Sequence, residues 1–529
     1  MSIDSNESQA FQEWKPKANP WLIAFAVMLA TFMEILDSSV ANVALPHMAG
    51  TFSATSEEVL WVVTSYLVAN AVILPSAAWF SSFFGRKRFL ITCIIIFTCA
   101  SIMCGLSNSL EMMVIARMIQ GAGGGALMPI TQAVLMETFP PNKRGLSTAI
   151  FGIAVIVAPI TGPILGGWIT ENYSWQWIFF INIPIGILAV ILIKAFLEDP
   201  PYIKNNVPKK IDYIGFIALI VWLVSLQIVL DKGQQADWFA ASWICWLSAI
   251  SVISMIFFIA WEFKFKDSII DLKVFFNRNY SIASILTLGV GSILYGTLSI
   301  LPLFLQNLLG YSAIQSGLAV GPRGLGSLCG MIISGILSDK FDMRIQMFLG
   351  FLLLAISNFM LGNLNFEISK VNIILPNILS GFATSLIFVP LTTAAFMTLK
   401  KEQMGNASGL LNLTRNLGGG FGTSIVSTSL IRYEQVHQTF LSGGLNPYNH
   451  ILRNKINALT GFLSLKMTHV TANHGANALV YSSLIKQASL MSYVDSFRLF
   501  CLLCLILAPA AFLIKKVKAA TAKSESALH

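Results

Sequence analysis

The chain has 529 residues, of which 55% are hydrophobic and 11% are charged, and its formal net charge is +9. A soluble domain carries roughly 25% charged residues, so this composition excludes an ordinary soluble protein. The positive charge does not indicate a nucleic-acid partner, because the basic residues lie in alternate short loops between apolar segments.

Apolar segments of about 20 residues recur along the chain, and a helix needs that length to cross ~30 Å of hydrocarbon. The segments are apolar on nearly all sides, unlike the amphipathic helices of a soluble protein. We therefore predict an all-α integral membrane protein with fourteen spans. The predicted spans are residues 21–45, 59–81, 88–106, 110–137, 146–169, 177–197, 213–230, 242–261, 279–304, 313–337, 345–362, 372–398, 406–430 and 491–514.

The basic residues predict how the spans are oriented. Most of the 34 lysines and arginines lie in the tails and in one set of loops, whereas the opposite short loops hold only Lys232 and Lys370. Because basic residues in short loops stay in the cytoplasm, both termini are predicted to be cytoplasmic. The cysteines lie in spans and the histidines lack zinc-ligand spacing, so we expect neither disulfides nor a metal site.

The spans divide into groups of six, two and six. Two related six-helix halves, with a substrate site between them near the membrane midplane, are a known transporter design. The long outer loop is polar, has a weakly amphipathic stretch near 449–467, and fits a tether or a docking surface equally well. The predicted divisions are an N-terminal tail (1–20), the first half (21–197), linkers with two inserted helices (198–278), the second half (279–514) with the outer loop 431–490, and a C-terminal tail (515–529).

A short basic turn follows the second helix of each half. The first turn contains Gly85 and Arg86, and the second contains Gly335, Asp339 and Arg344. One such turn could reflect membrane orientation alone, but two at corresponding positions indicate that the halves are related.

Five charged residues lie well inside the spans, where a charge is costly and usually functional. Asp37 lies ~24 Å along a helix that enters from the cytoplasm, and Arg117 lies ~10 Å along one that enters from outside. The two side chains therefore reach the same depth and can pair if the first and fourth spans are neighbours. The other three residues are Glu34, Arg323 and Arg415.

Glu34 and Asp37 are one helical turn apart and share a helix face. Two carboxylates that close, in a medium poor in water, cannot both be ionised without a large cost. Such a pair can take up a proton from the acidic side of the membrane and release it into the cytoplasm. The alternative is a fixed bridge between Asp37 and Arg117 that joins two helices and leaves Glu34 unexplained.

Arg323 and Arg415 lie ~15 Å into their spans, with no acid at comparable depth in the second half. Unpaired cations are excluded from lipid, so we expect these side chains to face a watery cavity or to bond backbone carbonyls. A cavity that contains them favours neutral or weakly acidic lipophilic compounds over dications.

Two glycine-rich runs, Gly121–Gly125 and Gly418–Gly422, look superficially like phosphate-binding loops. Both lie inside spans, follow no strand and lack a P-loop lysine, so they predict close helix packing and argue against ATP as the energy source. The fifth span combines prolines with small residues and is predicted to be kinked, with tight neighbours. Its residues are Pro159, Gly162, Pro163, Gly166 and Gly167.

Several runs resemble motifs of one family, the fourteen-helix drug:proton antiporters of the major facilitator superfamily. Residues 36–46 resemble its first-helix signature, Arg117-Met-Ile-Gln-Gly its fourth-helix arginine motif, and 162–167 its fifth-helix antiporter motif. The resemblance extends from about residue 20 to 514 and is closest to EmrB-type multidrug exporters, including Asn412-Leu-Thr-Arg. The residues that we predict to line the substrate cavity are Asn42, Gln120, Arg323, Asn412 and Arg415.

The resemblance implies a major facilitator fold and a proton-coupled exporter of lipophilic drugs in a bacterial inner membrane, driven by the proton motive force without a cofactor. It also implies a periplasmic adaptor protein and an outer-membrane channel as partners. Ser82 stands where the superfamily has Asp in the first basic turn, which weakens the conformational latch there, whereas Asp339 preserves it in the second half. The alternative is a transporter of one specific metabolite. An enzyme is not expected, because the sequence shows no nucleophile constellation.

Overall fold

The computed structural model describes residues 17–59, 61–139, 143–199, 212–265, 270–338, 341–399, 403–446 and 448–515. Every regular element in these ranges is helical. The helices of the first half are α1 (Pro20–Phe52), α2 (Ser56–Val59), α3 (Trp61–Phe84), α4 (Arg86–Gly105), α5 (Leu110–Gly124), α6 (Leu127–Thr138), α7 (Arg144–Asn172), α8 (Trp177–Phe180) and α9 (Asn182–Phe196).

The inserted pair and the second half follow the same pattern of long apolar helices. The inserted helices are α10 (Tyr213–Lys232) and α11 (Ser242–Lys264). The helices of the second half are α12 (Arg278–Leu303), α13 (Ala313–Val320), α14 (Pro322–Ser338), α15 (Met343–Leu361), α16 (Val371–Met397), α17 (Met404–Ser442), α18 (His450–Leu463) and α19 (His469–Ala510).

Polar caps mark where several of these helices begin. The Asn19 side chain accepts a hydrogen bond from Trp21 N at the start of α1, and Ser109 accepts one from Met112 N at the start of α5. Each cap satisfies a main-chain N–H group that has no partner inside the helix. Between its caps each helix is apolar on most faces, so burial and lipid contact, rather than one amphipathic stripe, stabilise it.

The buried apolar side chains form two large clusters, one mainly in the first half and one mainly in the second half and the inserted helices. Within the first half α1 packs against α7, and α3 packs against α5; within the second half α12 packs against α17, and α14 against α16. The halves meet where α17 contacts α3 and α6, and where α14 and α16 contact α7. A transport route between the halves would therefore pass between these helices.

Twelve helices of the described residues are long and apolar enough to cross a membrane. The predicted spans 110–137 and 406–430 are not among them. The first is divided near Gly125 into α5 and α6, and the second lies in α17, which is rich in glycine and polar residues. The all-α character predicted from the sequence is present in the described residues, whereas the count of fourteen spans stays a prediction.

The segment 431–490 differs from the predicted outer loop, because most of it is helical. Helix α17 continues to Ser442, α18 covers the predicted amphipathic stretch, and α19 begins at His469. The physical reason is an apolar stripe that polar composition conceals: small and aliphatic residues recur every fourth position on α19 and are buried against α17 and α18. These buried residues are Ala472, Ala476, Val480, Leu484 and Ala488.

Candidate functional site

The Asp37 carboxylate lies in a closed polar cluster between α1, α5 and α9. Its Oδ2 accepts a hydrogen bond from Arg117 Nη1 at 2.6 Å, and its Oδ1 accepts from Gln120 Nε2 at 2.9 Å and from Asn182 Nδ2 at 2.6 Å. All four side chains are buried. Charge-assisted bonds of this kind are the strong ones, so the ionised carboxylate is well stabilised here. The contact predicted from helix depth is present.

Arg117 is the largest fully buried side chain of the described residues. Its Nε donates to the main-chain oxygen of Val62 at 3.1 Å, and its Nη1 also donates to Gln120 Oε1 at 2.7 Å. The guanidinium lies 4.2 Å from the centre of the Tyr66 ring, which adds a cation–π contact. Ser101 on α4 completes the cluster by accepting a hydrogen bond from Gln120 Nε2 at 2.6 Å.

Glycines on α5 bring Arg117 close enough to reach Asp37. A Cβ added at Gly121 would lie 2.4 Å from the Tyr66 main-chain oxygen, and one added at Gly125 would lie 2.6 Å from that of Asn70. Only residues without a side chain allow α5 to approach α3 this closely. This glycine run therefore packs helices.

Glu34 lies one turn away from Asp37 but in different surroundings. Its Oε1 accepts hydrogen bonds from Asn70 Nδ2 at 3.0 Å and from Tyr66 Oη at 3.5 Å, whereas its buried Oε2 has no partner among the described residues. No described cation lies within 4 Å of it. Arg415 of the other half attracts the Glu34 carboxylate electrostatically.

Asn412 and Arg415 lie at the contact between the halves. Gln132 Oε1 on α6 accepts hydrogen bonds from Asn412 Nδ2 at 2.7 Å and from Ser408 Oγ at 2.8 Å on α17. Arg415 donates to Asn412 Oδ1, and its guanidinium lies 5.7 Å from the centre of the Phe388 ring. These residues thus form a neutral hydrogen-bonded bridge with one cation at its edge.

The remaining predicted cavity residues lie apart from this bridge. Arg323 is buried inside the second half, where its Nη1 donates to Thr297 Oγ1 at 3.2 Å. Asn42 is exposed and donates to the Ser38 main-chain oxygen at 3.2 Å, and it belongs to neither cluster. Gln120, predicted for the cavity, lies in the Asp37 cluster. The cavity-lining role of these residues stays a prediction.

The fifth-helix motif packs α7 against α1 of the same half. The Pro159 main-chain oxygen accepts a hydrogen bond from Ser39 Oγ at 2.9 Å, and a Cβ added at Gly162 would lie 2.4 Å from that hydroxyl. A Cβ at Gly166 would lie 2.9 Å from Val40 Cγ1. The predicted tight neighbour is therefore the helix that carries Asp37. Pro163 and Gly167 lie in the same helix.

The first basic turn is fixed by acids other than the expected one. Arg86 forms a buried two-bond ion pair with Glu137, with N–O distances of 2.5 and 3.1 Å. Asp199 Oδ1 accepts a hydrogen bond from Lys87 N at 2.8 Å, beside Gly85, whose φ of 86° suits glycine. Ser82, in place of the family aspartate, donates a hydrogen bond to the Trp79 main-chain oxygen of its own helix.

In the second basic turn Gly335 is buried in α14, and Arg344 pairs with Asp342 at 3.3 Å. Asp339 lies outside the described residues. Both turns therefore place an arginine beside a carboxylate, but the carboxylate comes from a different position in each turn.

Sequence reasoning missed three residues that complete these clusters. Asn182, Ser101 and Gln132 are uncharged, so a census of charged residues in spans passes over them. The available signal was weaker: Asn182 and Gln132 are amide side chains inside strongly apolar segments, where each needs a hydrogen-bond partner.

With this geometry in place, comparison with known proteins identifies the class. A family model described as "Major Facilitator Superfamily" matches residues 27–423. A solved structure of a double tryptophan mutant of XylE superposes with a TM-score of 0.62 at 14% identity, covering 94% of this chain and 96% of that one. At that identity the superposition supports the fold alone.

Closer relatives define the group within the class. The chain is 38% identical to the "Multidrug export protein EmrB" of Haemophilus influenzae over 81% of this chain and 84% of the relative. It is 37% identical to the "Fatty acid resistance protein FarB" of Neisseria gonorrhoeae over 83% of this chain and 86% of the relative. The chain therefore belongs to the Major Facilitator Superfamily, among its EmrB-type multidrug exporters, and is a transporter rather than an enzyme.

Proposed function

We propose that this exporter is an antiporter that exchanges protons for lipophilic compounds that are neutral or weakly acidic. One observation carries the proposal: two buried carboxylates lie one turn apart on α1, one bound to a cation and the other with no cation within 4 Å among the described residues. A purely structural bridge accounts for Asp37 and leaves Glu34 as a costly buried acid. A pair of proton sites accounts for both.

Proton uptake would change how the helices of the first half bind one another. Protonation of Asp37 removes the charge that binds Arg117, so the link between α1 and α5 weakens. Because α1 also packs against α7 through Ser39 and Gly162, a shift of α1 reaches the surface where α7 meets α14 and α16. Proton binding is thereby coupled to the contact between the halves.

Glu34 supplies the link to the second half. Its carboxylate is attracted by Arg415, which lies at the bridge formed by Gln132 and Asn412. Loss or gain of a proton at Glu34 changes that attraction across the interface. We propose that Asp37 is the obligatory proton site and that Glu34 adjusts the bridge.

Two observations support the substrate class. The buried arginines Arg323 and Arg415 have no carboxylate within 4 Å among the described residues, which disfavours cations. The relatives are named for multidrug export and for resistance to fatty acids. A transporter of one specific metabolite is the alternative, which a panel of unrelated substrates would separate from multidrug export.

The proposal places the chain in a bacterial inner membrane with both termini in the cytoplasm, surrounded by membrane lipid. The proton motive force, rather than a cofactor, supplies the energy. A periplasmic adaptor protein and an outer-membrane channel would complete the export path. The outer part of α17, together with α18 and the start of α19, offers the adaptor a folded surface.

The test is proton-driven transport by the full chain in liposomes, with the neutral dye N-phenyl-1-naphthylamine as probe. We expect an imposed pH gradient to drive dye transport, and Asp37→Asn to abolish it while Glu34→Gln slows it. Asp495→Asn is the matched control, because that carboxylate is partly exposed and outside both clusters. Undiminished gradient-driven transport by Asp37→Asn, with unchanged thermal unfolding, would refute the role of this acid.

A further inference from the structure

Arg323 is a buried cation with no counter-ion within 4 Å in the part of the chain that the structure describes. Its exposure is 2%, and among the described residues its one hydrogen bond runs to the Thr297 hydroxyl at 3.2 Å. Its Nη2 is buried with no partner in the described part of the chain. A guanidinium left in this condition is costly, so the site gains stability when something supplies an acceptor.

Two serines on the same helix face also have no hydrogen-bond partner for their hydroxyls among the described residues. Ser316 lies seven residues before Arg323 and Ser327 four residues after it, which places all three on one stripe of α13 and α14. Both serines are 1% exposed, and neither hydroxyl has a partner among the described residues. Buried polar groups are nearly always hydrogen-bonded, so three unsatisfied ones in a row point to a missing ligand. We call Ser316, Arg323 and Ser327 the polar stripe.

The chemistry of the polar stripe selects the charge of that ligand. It offers a guanidinium and two hydroxyls, and no described carboxylate lies within 4 Å of Arg323. Val320, which is buried between Ser316 and Arg323 on the same face, adds an apolar surface. An anionic head with an apolar body fits this combination, whereas a cation is repelled.

The second buried arginine does not offer the same site. Arg415 already donates to Asn412, lies over the Phe388 ring and is attracted by Glu34. A ligand there would compete with existing partners. We propose that Arg323 and Ser327 of the polar stripe bind the carboxylate of a lipophilic organic acid, with Arg323 as the charged contact; Ser316, about 10 Å from Arg323 along the helix axis, lies beyond the reach of the same carboxylate. This inference rests on the proposed function for the role of binding in export, but the binding itself needs no proton gradient.

The test is equilibrium binding of radiolabelled decanoate to the full chain in lipid nanodiscs, with decanol as the neutral comparison. We expect Arg323→Gln to weaken decanoate binding about 10- to 100-fold, since a charge-assisted bond is lost, and to leave decanol binding unchanged. Arg323→Lys should retain part of the affinity, and Ser327→Ala should weaken it about 3- to 10-fold. Arg498→Gln is the matched control, because that arginine is half-exposed and outside the polar stripe.

Two results would overturn the site: equal decanoate affinity in wild type and Arg323→Gln, or an equal loss for decanoate and decanol. The first would mean that water alone occupies the polar stripe, and the second that the substitution disturbs packing. Decanoate binding that depends on Arg323, without gradient-driven dye transport, would leave the site standing and reject antiport. Gradient-driven dye transport, together with decanoate binding that does not depend on Arg323, would support antiport and reject the site.

Discussion

The two halves treat buried charge in opposite ways. In the first half Arg117 and Arg86 each bind a carboxylate, Asp37 and Glu137, at 2.6 and 2.5 Å. In the second half Arg323 and Arg415 are buried to a similar degree and have no carboxylate within 4 Å among the described residues.

A fold made of two related halves does not require this asymmetry, so we infer that each half has its own task. Paired charges whose bond depends on protonation suit proton exchange, and unpaired cations suit the recognition of an acidic or electron-rich substrate. The comparison therefore supports the proposal that the first half mainly converts energy and the second half mainly recognises the substrate.

The largest effect should come from breaking the first-half pair on one side only. Arg117→Met leaves Asp37 buried with two amide donors but no cation, which should destabilise the protein by about 3–5 kcal/mol. Adding Asp37→Leu should recover most of that loss, because the uncompensated charge is removed as well. Thermal unfolding in detergent measures both. A double variant no more stable than Arg117→Met would show that hydrogen bonds, rather than charge balance, govern this cluster.

Removing the second-half cation Arg323 should change the stability of the protein in the opposite direction. Arg323→Met removes a buried charge that has one neutral partner, so it should raise the stability of the ligand-free protein by about 1–3 kcal/mol. The same unfolding measurement checks it, with Arg498→Met as the surface control. A loss of stability in Arg323→Met would mean that Arg323 has a structural counter-ion, and the contrast between the halves would disappear.

The sequence predicted the charged pair because both residues are ionisable and both helices are long enough for depth to be counted from their ends. The pairing of Asp37 with Arg117 could be predicted from the depth of each residue along its helix alone. Gln132 and Asn182 could not be found this way, because an amide shows its importance only when its partner is known. The environment of Glu34 depends on Asn70 of a different helix, and no one-dimensional pattern contains that contact.

Helix boundaries were predictable inside the hydrocarbon and failed outside it. Within a span the apolar run itself sets the length, so α4 and α15 match their predicted segments closely. The segment 431–490 is stabilised by packing between α17, α18 and α19, and a polar surface there carries no hydropathy signal. Hydropathy also fails to predict helix boundaries within two of the spans. One is divided into α5 and α6, and the other lies in the glycine-rich α17.

The bridge between the halves should give a smaller effect on conformation. Gln132→Leu removes the acceptor of two hydrogen bonds, from Ser408 and Asn412, so the halves should separate more readily where α6 meets α17. Spin labels at the exposed positions Phe84 and Phe341, with reactive native cysteines replaced by serine, report the distance across that end. We expect a greater share of long distances, equivalent to about 1–2 kcal/mol. An unchanged distribution would show that apolar packing alone closes the interface.

The smallest effect should come from breaking an exposed ion pair whose N–O distance equals that of the buried Arg117–Asp37 pair. Arg432 and Asp237 are 2.6 Å apart, like Arg117 and Asp37, but their side chains are 53% and 70% exposed, against 0% and 1%. Water already solvates both charges, so Asp237→Asn should change stability by less than about 1 kcal/mol, and added salt should reduce even that. Asparagine also tolerates the positive φ of 51° at this position, so backbone strain does not confuse the result. A loss as large as that of Arg117→Met would mean that distance, rather than burial, decides what an ion pair contributes, and the functional contrast between the halves would lose its physical basis.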